Sequence, residues 1–60
     1  MQATAIQEHA RKLLAVHGDM AIARAAQKAK SFEEHNELEE AKTWRRIEAA
    51  LRQMQGPHVS

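Results

Sequence analysis

Residues 37–55 read ELEEAKTWRRIEAALRQMQ, and their spacing decides the fold. Trp44, Ile47, Leu51 and Met54 recur at intervals of three and four, which places them along one side of a helix. Lys42, Arg45, Arg46 and Arg52 fall on the other side. A helix with such a seam has to bury it against a neighbour. Upstream, Ile22, Ala25, Ala26, Ala29 and Phe32 form the stripe of a second helix, opposite Arg24, Gln27 and Ser31. Further upstream, Ile6, Ala10, Leu13 and Leu14 share an arc, with Val16 at its edge and Glu8, Arg11 and Lys12 pointing away. Three amphipathic segments emerge, and no segment alternates as a strand would.

The breaks between them are chemically marked. Gly18 follows the first apolar pattern and precedes Asp19, so it reads as a helix stop followed by an N-cap. His35-Asn36-Glu37 is the second break, with Asn36 expected to cap the third helix and Glu39 completing a capping box. Thr4 and Gln7 carry the same signature at the first helix. Gly56-Pro57 closes the last pattern and leaves a short flexible tail over 56–60. The expected helices lie near 5–17, 20–35 and 37–55.

The fold class is therefore all-α, a single domain over 1–60. Its expected centre is an antiparallel hairpin of the helices near 20–35 and 37–55, with the shorter N-terminal helix packed on it. Small side chains on the second helix let the third approach at the short end of the usual range. Leu13, Ile22, Ala29, Phe32, Trp44, Ile47 and Leu51 are the expected core, with Trp44 filling the space that the alanines leave.

Composition narrows the function. The chain has 60 residues, of which 43% are hydrophobic, and 12 of those are alanine, so the core is thin. A thin core predicts that part of the seam is buried against another polypeptide, most simply a second copy. There is no cysteine, which removes disulfides, thiolate metal sites and thiol nucleophiles, and favours a reducing cytoplasm. No apolar run approaches the roughly 20 residues that span a bilayer. Met1-Gln2-Ala3-Thr4 lacks the basic start of a secretory signal. A net charge of +1 is far from the balance of a dedicated nucleic-acid binder.

Candidate sites are few. His9 and His17 are eight residues apart, too far along a helix to share one metal ion. His17, just before Gly18, is expected to bond the last carbonyls of the first helix. The acidic run from Glu33 to Glu40 lacks the alternating ligands and the glycine of a calcium loop. Its last three carboxylates instead suit the positive end of the third helix. Glu48 and Arg52 form a favourable pair four apart. No nucleophile–base pair, phosphate-cradling loop or cofactor fingerprint occurs, so no catalytic residue, metal or cofactor is assigned. Leu38, Lys42, Arg45, Arg46 and Arg52 remain as a candidate interaction surface, since Leu38 projects away from the seam and the four cations line one face.

Two resemblances follow. The stretch from Asn36 to Leu51, with Leu38 and Ala41 ahead of an aromatic, resembles half a tetratricopeptide unit, with Glu48 at that repeat's small position. A lone unit has no stacked neighbour, so no solenoid is implied. From His9 to Leu51 the chain resembles a family of small uncharacterised bacterial proteins of about this length. His17-Gly18-Asp19 and Ala41-Lys42-Thr43-Trp44-Arg45-Arg46-Ile47 carry the likeness. Where that family has Gly-Asp at the second turn, this chain has Asn36-Glu37. The resemblance implies an all-helical cytoplasmic protein and brings no activity with it.

The expected function is non-enzymatic: a protein–protein interaction or self-association module, whose partner is another protein or a second copy, without a membrane. The alternative is a small nucleic-acid-associated regulator using the basic face of the third helix, from Lys42 to Arg52.

Overall fold

A computed structural model describes residues 3–55. The tail expected over 56–60, with the Gly56-Pro57 stop, lies outside the described residues. Helix α1 covers Ala3–His17, α2 covers Ala21–Glu34 and α3 covers Leu38–Gln55. A short 3-10 turn, Gly18–Met20, joins α1 to α2. No strand occurs among the described residues. The chain over 4–34 is thus one bent helical stretch, and it packs against α3.

Gly18 makes the bend. Its φ is +56°, in the left-handed region that costs an L side chain roughly 1–2 kcal/mol. The stop signal was legible, but the cap was not. Asp19 sits inside the 3-10 turn, and Met20 precedes α2 without any side-chain cap bond. The turn satisfies a donor itself, since the Ala21 N–H bonds the Gly18 carbonyl. Thr4 likewise lies inside α1, which begins at Ala3, and does not cap it.

The second corner works differently from its sequence reading. Asn36 is left-handed, at φ +60°, so it ends α2 rather than capping α3. The Glu37 N–H bonds the Phe32 carbonyl at 2.8 Å and the Asn36 N–H bonds the Glu33 carbonyl at 3.1 Å. That pair of bonds is a Schellman motif, which takes up carbonyls a helix end would otherwise leave orphaned. Asparagine is the next best residue to glycine for that conformation, because its short side chain tolerates it. The carbonyl of Glu37 then accepts the first bond of α3, from Ala41 at 3.0 Å.

A histidine does bond terminal carbonyls, but not His17. His35 Nδ1 donates to the Ser31 carbonyl at 2.8 Å, at the end of α2. No side-chain hydrogen bond from His17 to those carbonyls occurs among the described residues.

The core lies where α2 and α3 fold back on each other. Ala21, Ala25 and Ala29 are fully buried at intervals of four, forming a ridge of methyl groups. Ile47 and Leu51 of α3 are the largest fully buried side chains. Ile6 and Ala10 of α1 close the same cluster, with Leu13, Leu14, Ile22, Trp44 and Met54 packed around it. Within the expected core, Ala29, Ile47 and Leu51 are buried, whereas Leu13, Ile22, Phe32 and Trp44 are half-buried. On α2 the buried line runs through Ala21, Ala25 and Ala29, with Ile22 and Phe32 beside it. The smallest residues then take the line of closest approach, and the bulky ones flank it. Trp44, at the edge of this cluster, also meets α1, where its ring and that of His9 lie 5.1 Å apart and 66° inclined, edge to face. Gln55 Nε2 donates to the Gly18 carbonyl at 3.1 Å, which ties the end of α3 to the bend.

Both corners make the same demand, for a residue that accepts the left-handed region. A Cβ at Gly18 would meet nothing within 4 Å, so Gly18→Ala tests the backbone alone. It should destabilise the protein by about 1 kcal/mol or more, read as a lower melting temperature. Asn36→Ala should lose a similar amount, while Asn36→Gly should match or exceed the parent.

Candidate interaction surface

The first half of α3 presents its outer face beside the end of α2. Leu38 is 56% exposed, a large side chain left in water at the start of the helix. It lines a depression of about 390 Å³ together with Glu33, Ala41, Lys42, Arg45 and Arg46. Four of the five residues singled out from the sequence therefore share one surface feature. Arg52 does not line it.

The charges on this face are not equivalent. Arg45 Nη2 and Nε donate to the two carboxylate oxygens of Glu33 at 3.1 and 3.2 Å, a forked pair that links α3 to α2. Arg45 Nη1 donates to Glu48 Oε1 at 3.0 Å, and Arg52 Nη2 donates to Glu48 Oε2 at 2.8 Å. Glu48 is only 9% exposed, so its carboxylate is held by two arginines at the edge of the core. The pairing with Arg52, four residues on, was expected from the spacing. Its burial and its second arginine were not. The signal was present in Arg45, Glu48 and Arg52, since an acid with arginines at −3 and +4 is reached by both on one helix side.

This network consumes half of the basic face. Arg45 and Arg52 are bound to carboxylates, leaving Lys42 and Arg46 without an acidic partner among the described residues. Phosphate tracking needs several free cations, and each one already paired must first give up its partner.

The remaining sequence candidates are dispersed. Glu33 is spent on Arg45, while Glu39 and Glu40 occupy the first turn of α3. No three His, Asp or Glu side chains converge on a common point among the described residues. No helix of the described residues is long and apolar enough to cross a membrane. A separate cleft, of about 330 Å³, opens where α1, α2 and Trp44 meet, and sequence reading gave no sign of it.

The hydrogen bond from Arg52 draws the Glu48 carboxyl below its ordinary range, and the Arg45 bond adds to this against the cost of burial. A depressed folded-state value means the carboxylate stabilises the fold above the unfolded value, about 4.3. That stability is lost as pH falls through the lower folded value. Glu48→Gln should therefore cost about 1 kcal/mol at pH 7, since both arginines are largely exposed. In urea melts the gap between parent and variant should close as the pH is lowered below about 4.

No protein-family model, no curated protein and no solved structure matches this chain.

Proposed function

We propose that the chain is a non-enzymatic, cytoplasmic helical module that meets another protein or a second copy of itself through the outer face of α3. The observation that carries this reading is Leu38, a large apolar side chain 56% exposed at a depression rimmed by Lys42 and Arg46. An apolar centre within a polar rim is the anatomy of a protein–protein interface. Met20 and Val16 add apolar surface at the bend, at 56% and 76% exposure. In this reading α1 is the third helix of a small three-helix domain, packed on the α2–α3 hairpin. The shared burial of Ile6 and Ala10 with Ile47 and Leu51 supports that arrangement. The likeness to the family of small helical bacterial proteins, carried by His17-Gly18-Asp19 and the Trp44-Arg45-Arg46 segment, is part of the same proposal.

Sedimentation equilibrium at micromolar concentration tests the self-association form. A mass above 6.8 kDa is expected for the parent, with a melting temperature that rises with protein concentration. Leu38→Asp should return the protein to the monomer without lowering that of the isolated fold, because the side chain is largely in water already. A monomeric parent removes the second copy and leaves a different polypeptide as the partner. Binding of a nucleic-acid duplex that falls steeply with salt would replace the reading with the nucleic-acid alternative.

A further inference from the structure

The cleft where α1, α2 and α3 meet has a composition that the interaction surface does not share. Leu13 and Trp44 supply its apolar lining, and both are half-buried. Arg24 and Lys28, one turn apart on α2, stand at its rim with Gln27, Ser31 and the half-buried His17. None of these seven residues is acidic. Every ion pair among the described residues involves Arg45 or Arg52, so Arg24 and Lys28 have no carboxylate partner. Like charges four apart on a helix repel each other slightly, and no carboxylate among the described residues pairs with either to offset that. The cleft volume, about 330 Å³, falls at the small end of the range for ligand sites.

We propose that this cleft binds a small organic anion built on a flat ring. The ring lies against the accessible part of the Trp44 indole and the Leu13 side chain. The anionic group bonds Arg24 and Lys28, which lie close enough on α2 to reach one carboxylate or phosphate together. Arg24 presents a planar fork and Lys28 a point charge, a pair suited to an oxyanion. Gln27 and Ser31 lie on the same rim and offer neutral hydrogen bonds to ring substituents. Ring and charge are both required, because the cleft is open on one side and neither contact alone excludes enough water. A ligand of roughly ten heavy atoms, about the size of benzoate, binds in such an open site with a Kd on the order of 1 mM.

The protein contains one tryptophan, so its indole N–H gives a single resonance in a proton–nitrogen spectrum. That resonance reads the cleft directly in the full chain. Titration with benzoate and with adenosine 5′-monophosphate should move it saturably in at least one case. Saturation by benzoate alone identifies an aromatic acid as the ligand class, and saturation by the nucleotide alone identifies a nucleotide. Inorganic phosphate and benzyl alcohol, which carry the charge and the ring separately, should bind at least about tenfold more weakly. Arg24→Gln and Lys28→Gln alter exposed side chains, so both should keep the parent melting temperature while weakening binding about tenfold. The proposal is overturned if neither ring-bearing anion shifts the resonance. It is also overturned if phosphate alone binds as well, or if the two variants bind like the parent.

Discussion

The ridge of Ala21, Ala25 and Ala29 sets the distance between α2 and α3, and the other packing follows from that distance. Three methyl groups in a row keep two backbones close, so branched side chains on α3 can reach into the space between them. Ile47 and Leu51 do so and become the best-buried large residues of the protein. The close approach brings Arg45 within reach of Glu33, so the ion pair across the hairpin depends on the ridge as much as the apolar core does. A larger residue at Ala25 would push the helices apart and strip both contacts at once.

Glu48 shows how such a thin core deals with its margin. A carboxylate at the edge of the buried zone would normally be expensive, and its two oxygens are each satisfied by a different arginine. The guanidinium groups lie largely outside, so the pair is screened and its energy modest. The same arrangement draws positive charge away from the outer face of α3. What remains there is Leu38 with Lys42 and Arg46, a small amphipathic patch rather than a basic track.

Helical periodicity made the three segments legible, with ends within about two residues, because the apolar spacing is a property of each helix alone. Gly18 was legible for a similar reason: its left-handed conformation is local. Asn36 was read one element too late. An Asn before a helix and an Asn after one look alike in sequence, and only the bonds from Asn36 and Glu37 back into α2 tell them apart. Trp44 packs at the edge of the core rather than at its centre, because helix spacing gives a face and not a rotation about the axis. Ala21 and Ile22 differ by one position, and which of them meets α3 is decided by the fit of both helices together. The cleft of Arg24, Lys28 and Trp44 was invisible for a deeper reason. Its residues come from three helices, and no local pattern links them.

The three-residue connection between α2 and α3 has a consequence for the order in which the molecule assembles and opens. Closing so short a loop costs little chain entropy, so the hairpin forms its contacts at small expense. α1 instead enters the core through Ile6 and Ala10, far in sequence from Ile47 and Leu51. The amides of α1 should therefore exchange with solvent through partial opening, before those of α2 and α3, whose exchange should track global unfolding. The Trp44 indole, on α3 against both α1 and the α2 side of the cleft, then reports the docking of α1 as well as the closing of the hairpin.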